Sequence, residues 1–478
     1  MYDLAIVGGG TGGYVAAIRA AQLGGKVALI ERDSLGGTCL NRGCIPTKAL
    51  VRSASVYHLV QRAASFGIKV SGFALDFPAV QKRKEENVRQ LVAGVELLLK
   101  SNGVDVFRGT GSVRRRGEDG FRVQVKGSTS SSPEQSSPEQ ELEAKRVILA
   151  TGSQAARPPL PGIDLEGVIS SDEALELDHV PESLVVIGGG VIGLEFAGIY
   201  RTFGARVAVV EMLPNLLPMV DEEISRRLLP VFKKQGLEIH TSARVKGIQR
   251  AGDRLTVVAE TPAGEVQLTG EYVLVATGRR PNFGGIDLDD LGVKYGPKGI
   301  LVDSGLATNV PGLYAIGDVT GGIMLAHVAS TQGIVAVERI FLGHGEMDYG
   351  RVPSAIFTYP EVATVGLSEK AAREAGHNVQ VAKFPYSASG KAVTMGETEG
   401  LVKLVADGEG KLLGLHIFGE NAADLIHEGA LALTMGATVK DIVATIHAHP
   451  TLSETIHEAA HGLVGGYIHL ARPSTRRP

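Results

Sequence analysis

The sequence predicts an α/β fold in which one βαβ device occurs twice and is followed by an α+β segment. Three observations predict it. Leu4-Ala-Ile-Val-Gly8-Gly-Gly10-Thr-Gly-Gly13 runs through an Ala-rich stretch to Val27-Ala-Leu-Ile-Glu31. About 180 residues later Leu184-Val-Val-Ile-Gly188-Gly-Gly190-Val-Ile-Gly193 runs on to Val207-Ala-Val-Val-Glu211. The last stretch, about 130 residues, mixes short strands such as Gly400-Leu-Val-Lys-Leu-Val-Ala and Leu412-Leu-Gly-Leu-His-Ile-Phe with amphipathic helices such as 421–435.

Each device reads as a β-branched apolar strand, a GxGxxG turn, a helix, and a second strand ending in an acid. That order is the Rossmann-like dinucleotide-binding unit, and the physics assigns each glycine a task. The first (Gly8, Gly188) permits the turn and the second (Gly10, Gly190) lets backbone approach a pyrophosphate. The third (Gly13, Gly193) packs helix against strand, so that N–H groups and the positive helix end face the phosphates. Glu31 and Glu211, about 20 residues beyond each turn, are placed to accept hydrogen bonds from adenosine ribose hydroxyls. Ile148-Leu-Ala-Thr-Gly152 and Val273-Leu-Val-Ala-Thr-Gly278 also recur, each a buried-strand run where a handover between domains is expected.

Composition bounds the rest. A chain of 478 residues is too long for one ordinary domain, and 44% apolar with 21% charged residues is the balance of a globular protein. No run approaches the roughly 20 apolar residues that cross a bilayer. The N-terminus enters a strand at once with no targeting pattern, so a cytoplasmic location is expected. A net charge of -4 gives no reason to expect nucleic acid or an anionic membrane as partner. Low-complexity sequence from Ser128 to Gln140, with Ser-Ser-Pro-Glu-Gln in tandem, reads as a mobile surface insertion between two strands, without chemistry.

There are two cysteines, five positions apart, in Gly36-Gly-Thr-Cys39-Leu-Asn-Arg-Gly-Cys44-Ile-Pro46-Thr-Lys48. They follow the acidic end of the first device directly and so lie beside whatever it binds. Pro46 suits the first turn of a helix, which sets Cys44 near a positive helix end that favours thiolate, with Lys48 one turn on. The alternative is a pair of inert thiols. Near the C-terminus, His447-Ala-His449-Pro450-Thr-Leu-Ser-Glu454 offers a histidine with a Pro-restricted backbone and an acid able to accept its other ring N–H. A His-Pro is commonly just a turn, and His447 and His457 compete for the role. Gly312-Leu-Tyr-Ala-Ile-Gly317-Asp318 ends a strand on a carboxylate, able to hold a polyol or simply to close a turn.

Together, in order and over nearly the whole chain, these motifs resemble the pyridine nucleotide-disulfide oxidoreductases. The resemblance implies two Rossmann-like domains plus a C-terminal α+β dimerisation domain: FAD-binding at 1–150, NAD-binding at 151–279, a second FAD-binding part at 280–345 and an interface domain at 346–478. It implies that Gly8, Gly10, Gly13, Glu31, Thr38, Lys48, Gly111, Gly152, Asp318 and Ala326 contact FAD. It further implies that Gly188, Gly190, Gly193, Glu211, Val245 and Gly278 line the NAD site, that Glu195 pairs with Lys48, and that no metal is needed. Its redox group is a Cys39–Cys44 disulfide served by His449 and Glu454, the His lent across a homodimer.

Within the family the residues resemble the branch that oxidises protein-bound dihydrolipoyl groups with NAD. Mercuric reductases carry a further C-terminal Cys pair, soluble transhydrogenases lack the first Cys, small thioredoxin reductases space theirs CxxC, and glutathione reductases place basic residues where Met212 to Val220 stand. The partner so implied is the lipoyl domain of a 2-oxo acid dehydrogenase or glycine cleavage complex. A reductase running the other way, or a redox-silent FAD-binding docking protein, are the rivals; intact Cys39, Cys44 and His449 argue against the second.

Overall fold

β1 (Tyr2–Val7) is apolar on both faces because both are covered. Ala5 and Val7 join one core with Val113, Phe121, Val123 and Leu313, while Leu4 and Ile6 join another with Ala16, Ala17, Leu99 and Ala336. In the computed structural model, which describes residues 1–117, 120–127 and 139–471, this strand is central to the first of two compact units, made of Met1–Pro158, Ser170–His179 and Gly278–Met347.

From β1 the chain forms α1 (Thr11–Gln22), β2 (Val27–Glu31), α2 (Gly37–Arg42), α3 (Cys44–Gln61) and α4 (Phe77–Ser101). α4 starts where its sequence says it should, with Asp76 capping Ala79 N at 3.0 Å and Pro78 in the first turn. β3 (Asp105–Arg108), β4 (Thr110–Arg115), β5 (Phe121–Lys126) and β6 (Gln140–Leu149) complete a sheet of order β3-β2-β1-β6-β5-β4. β1 pairs in parallel with β2 and β6, whereas β4, β5 and β6 form an antiparallel ribbon. β5 alternates buried and exposed residues, as a ribbon with one covered face should.

The Ser-Pro-Glu-Gln repeat lies outside the described residues, apart from its last two. Its flanks are adjacent, since Val125 pairs with Gln140 across β5 and β6. Deleting 128–138 and closing β5 to β6 with a short turn should therefore leave turnover and flavin content within error of the full chain. Flavin lost from the shortened protein would give the insertion a structural role.

After β7 (Ser153–Ala155), β8 (Val168–Ile169) and α5 (Ser171–Ala174), the second unit gathers Pro159–Ile169, Val180–Thr277 and Asp348–Pro478. Its parallel sheet has the order β11-β10-β9-β15-β8 and contains β9 (Ser183–Ile187), β10 (Arg206–Val210), β11 (Glu238–His240) and β15 (Tyr272–Val275). α6 (Val191–Phe203) joins β9 to β10, and α7 (Glu222–Lys234) joins β10 to β11. β12 (Arg244–Ala251), β13 (Arg254–Thr261) and β14 (Gly264–Gly270) are an antiparallel sheet. The chain returns to the first unit through β16 (Arg279–Pro281), paired with β7, the hairpin β17 (Tyr295–Gly296) and β18 (Gly299–Ile300), β19 (Leu313–Ala315), paired with β6, and α8 (Ala326–Leu342).

The remainder is an antiparallel sheet, β20-β21-β24-β23-β22, from β20 (Ser354–Ile356), β21 (Glu361–Gly366), β22 (Gln380–Pro385), β23 (Leu401–Ala406) and β24 (Leu412–Gly419). Short helices α9 (Glu369–Glu374), α10 (Gly390–Met395) and α12 (Val439–Ala444) connect it, and α11 (Ala422–Met435) and α13 (Glu454–Val464) pack on it. This sheet has its own core, including Phe384, Leu404, Leu415, Ile426 and Ile456. It is nonetheless grouped with the second parallel sheet in one compact unit. Among the described residues no helix is long and apolar enough to cross a membrane.

Candidate active site and dinucleotide turns

Gly8 leaves β1 at φ +111°, and a Cβ there would stand 2.2 Å from the Ala150 carbonyl oxygen. Gly13 is closed in turn by the Gly8 carbonyl, 1.8 Å from where its Cβ would be. Gly10 differs, because the nearest described atom to its absent Cβ is Gly37 Cα at 3.9 Å. Protein packing thus demands glycine at the first and third positions, while at the second the space is left for a ligand. Gly10 also N-caps α1 without a side-chain bond, and no acid stands in the first turn, so the helix end presents uncapped N–H groups. These features fit a pyrophosphate.

The same turn opens a cleft lined by Gly8, Gly10, Glu31, Thr38, Gly111 and Gly152, together with Asp33, Ser34, Arg42, Ser153 and Asn282. Glu31 is buried and takes hydrogen bonds from Gly9 N (2.6 Å) and Asp33 N (2.8 Å). Burial pushes its carboxyl above the usual range against those bonds. Both oxygens are thus held by backbone N–H groups in the lining of the cleft, where a ribose hydroxyl can reach them. Asp318 accepts from the Ser153 hydroxyl, which Arg279 Nε also reaches at 2.7 Å. Ala326 opens α8, whose N-cap Leu325 supplies no side-chain bond.

The cysteine segment is seated on this turn. Gly36 N donates to Gly9 O at 2.8 Å, and Gly37, at φ +55°, has its Cβ position 2.7 Å from Gly10 Cα. Asn41 Nδ2 ties the loop by bonding Leu35 O and Gly37 O at 3.0 and 2.9 Å. Cys39 lies in α2, and Cys44 is the first residue of α3 after the N-cap Gly43. Both are thiols here. The side-chain hydrogen bond with Cys44 and then burial push the Cys39 thiol well up, while the charge of Lys48 acts the other way. Cys44, as the first residue of α3, is the sulfur placed at the positive helix end.

The second turn repeats the first almost atom for atom. Gly188 sits at φ +115° with its Cβ position 2.4 Å from Ala276 O, and Gly193 is closed by Gly188 O at 2.1 Å. Gly190 has no described atom within 4 Å of its Cβ position and caps α6 without a side chain. Glu211 is buried and takes Gly189 N at 2.6 Å and Leu213 N at 2.7 Å. Val245 stands half-buried on β12 at a register shift. Buried Glu195 on α6 accepts from Phe357 N at 3.0 Å. Glu195 belongs to the second unit and Lys48 to the first, while Gly278 belongs to the first, where its carbonyl takes Ala156 N–H at 3.0 Å.

At the C-terminus His449 precedes a cis peptide to Pro450, and its Nδ1 lies 2.8 Å from Glu454 Oε1. Glu454 Oε2 takes Thr451 N at 2.8 Å. Burial raises the Glu454 carboxyl, but the bonds from Thr451 and His449 outweigh it and leave it below the usual range. The His449 side chain is 78% exposed, so Nε2 faces outward while Nδ1 is held. The rival histidines have ring nitrogens bonded within the domain. His447, 6% exposed, is bonded at Nδ1 to Thr445 O and at Nε2 to Glu428, and His457 Nε2 meets Val443 O. Beside His449, Ile446 is 97% exposed, and Leu431 and Met435 on α11 face outward.

Asn282 was missed by sequence reasoning, although it follows the second Ala-Thr-Gly by four residues. It crosses to the first one, receiving Thr151 Oγ1 on its carbonyl and donating Nδ2 to Thr151 O at 3.2 Å. Its partner lies 131 residues earlier, and no local pattern shows that.

Residues 2–333 match the family model for pyridine nucleotide-disulphide oxidoreductase, and 352–460 match that family's dimerisation domain. Similar proteins include the dihydrolipoyl dehydrogenase of Bacillus subtilis strain 168, 43% identical over 98% of this chain and 99% of that one. The dihydrolipoamide dehydrogenase of Chaetomium thermophilum is 42% identical over 98% and 92%. Among solved structures, LpdA of Mycobacterium tuberculosis is 28% identical with a TM-score of 0.87, covering 96% of this chain and 99% of its own. The HOCl-induced flavoprotein disulfide reductase RclA of Escherichia coli reaches 0.83 at 28% identity, covering 96% and 99%.

Proposed function

The chain belongs to the pyridine nucleotide-disulphide oxidoreductase family, and on that premise we propose that it oxidises protein-bound dihydrolipoyl groups and reduces NAD to NADH. The observation that carries this is the seating of the two cysteines on the first glycine turn. It brings thiol chemistry within reach of a dinucleotide, and the relatives that share the full length carry the corresponding name.

The family's cofactors are FAD and NAD. In this reading 1–150 and 280–345 hold FAD through Gly8, Gly10, Gly13, Glu31, Thr38, Lys48, Gly111, Gly152, Asp318 and Ala326. Residues 151–279 hold NAD through Gly188, Gly190, Gly193, Glu211, Val245 and Gly278. The dimerisation-domain match supports a homodimer through 346–478, and the exposed Ile446, Leu431 and Met435 supply an apolar surface for it. The lipoyl group arrives on a separate protein, a lipoyl domain of a 2-oxo acid dehydrogenase or glycine cleavage complex, in a cytoplasmic setting.

In the first half-reaction His449 Nε2 takes the proton of a dihydrolipoyl thiol while Glu454 holds Nδ1–H. The lipoyl thiolate attacks Cys39 Sγ, the Cys39–Cys44 bond breaks, and Cys44 leaves as thiolate at the start of α3. The second lipoyl thiol, deprotonated in turn, breaks the mixed disulfide, so the lipoyl group departs as a disulfide and Cys39 and Cys44 keep the electron pair. FAD, when bound, converts that pair into a hydride for NAD.

Glu211 sets the nucleotide. Its carboxylate, fixed by two backbone bonds, accepts from a free ribose 2′-hydroxyl and repels a 2′-phosphate, and Met212 to Val220 contain no Lys or Arg. Like charges at such a site cost about 3 kcal/mol, so kcat/KM should favour NAD over NADP by roughly two orders of magnitude. The test is one set of rates: dihydrolipoamide with NAD, dihydrolipoamide with NADP, and NADPH with glutathione disulfide. The first should dominate; equal use of the two nucleotides, or a faster glutathione reaction, would sink the assignment.

A further inference from the structure

The mechanism makes no use of a lysine that is among the most deeply buried cations of the described residues. Lys403, in the middle of β23, is 2% exposed, yet its Nζ reaches Asp221 Oδ1 and Oδ2 (2.9 and 3.1 Å), Glu369 Oε2 (2.8 Å) and Glu223 Oε2 (3.3 Å). Burial works against its charge, but the bonds from Glu369 and Asp221 outweigh that and hold its pKa above the usual value. A buried ammonium with carboxylates gathered around it is costly to assemble, so what it holds in place is worth asking.

It holds Asp221, and Asp221 holds the loop behind the second glycine turn. Asp221 caps α7 by accepting Glu223 N at 3.0 Å and also receives Glu369 N at 3.2 Å. Ser225, in the first turn of α7, donates its hydroxyl to Leu216 O. Leu217, at φ +49°, donates its N–H to Gly189 O at 3.0 Å, and Leu216 Cδ2 stands 2.6 Å from where a Gly189 Cβ would be. In the first unit the matching brace on Gly9 comes from Leu35 and Gly36, held by the backbone contact of Gly10 with Gly36 and Gly37. The second turn has instead a charged handle reaching into the C-terminal sheet.

We propose that Lys403 is a positioning residue for NAD: through the Asp221 cap it fixes the 212–220 loop that braces the Gly188–Gly190 turn. The inference rests on the reading of that turn as the NAD site. Removing the ammonium takes from Asp221 its buried counter-charge, whereas Glu223 keeps Lys383 and Arg227 and Glu369 keeps Arg373. The uncompensated Asp221 carboxylate is then driven toward water, which frees the start of α7 and loosens the turn. Because β23 lies within the region that matches the dimerisation domain, nucleotide affinity is tied to the integrity of that domain.

The test uses the FAD-loaded dimer. Lys403→Met should raise the Kd for NAD, read by calorimetric titration of the oxidised holoprotein, and the KM for NAD by about ten-fold, with kcat within about three-fold and the KM for dihydrolipoamide unchanged. Lys403→Arg should return most of the affinity. Lys370→Met, which breaks the exposed Lys370–Glu222 pair at the same junction, should change nothing. Wild-type NAD affinity in Lys403→Met overturns the inference, as does an equal loss toward both substrates, which is the mark of a merely structural lysine. If Lys403→Met yields no holoprotein, Asp221→Asn, which keeps a capping side chain on α7, is measured in the same way and decides by the same criteria. Gly190→Ala separates the premise: a normal Kd there overturns the site assignment and this inference together, whereas a raised Kd beside an unaffected Lys403→Met overturns the inference alone.

Discussion

Cys39→Ser should abolish dihydrolipoamide turnover and yet leave the protein coloured as though partly reduced, with a long-wavelength absorption from a Cys44 thiolate beside oxidised flavin. Cys44 begins α3, where the helix dipole favours a thiolate, and the hydrogen bond with Cys44, then burial, disfavour charge on Cys39. Removing Cys39 leaves Cys44 unable to form the disulfide and free to ionise. Cys44→Ser should abolish turnover and the absorption alike. Transfer from NADH to a dye requires neither sulfur, so both variants should keep it. The band surviving in Cys44→Ser and vanishing in Cys39→Ser would reverse the two roles.

His449→Gln should cost about 10² to 10⁴-fold in dihydrolipoamide turnover, the range of a lost general base, with NADH-to-dye transfer intact. Glu454→Gln should cost less, since the imidazole remains and only its orientation and counter-charge are lost. The Glu454 carboxyl is held below the usual range, so its stabilisation of the pair is present above the ordinary carboxylate pKa. That stabilisation is lost only as pH falls through the lowered value, and Glu454 is ionised throughout neutral pH.

The exposed Nε2 of His449 and its apolar neighbours motivate the proposal that the base is lent to the disulfide of a second copy. Dimers mixed from Cys44→Ser and His449→Gln chains then contain one site with an intact disulfide and an intact base. They should recover roughly half of the wild-type rate per dimer. A base acting within its own chain predicts no recovery.

Much of this was legible because glycine constraints are local. A Cβ at Gly13 collides with the Gly8 carbonyl five residues back, so GxGxxG between a strand and a helix reads directly as a turn. Cys44 at a helix start was legible from Pro46 for the same reason. The choice among His447, His449 and His457 was open in the sequence; in the fold Thr445 and Glu428 occupy both ring nitrogens of His447 and Val443 occupies Nε2 of His457, which favours His449. Two features had no local signal at all. The contact of Gly37 with Gly10 joins backbones 27 residues apart, and the Lys403–Asp221 pair spans 182 residues. A lysine in Leu-Val-Lys-Leu-Val reads as an outward residue on a strand until the acids that surround it are folded into place.

The central claim is that Cys39 and Cys44 are the group that takes electrons from the substrate. The most direct measurement is anaerobic addition of one equivalent of dihydrolipoamide to the oxidised holoprotein, followed by alkylation and mass analysis of the peptide that carries both cysteines. The expected result is no label before the dithiol and, after it, label on Cys39 first while Cys44 is protected. Flavin reduction with neither cysteine becoming alkylatable would contradict the account.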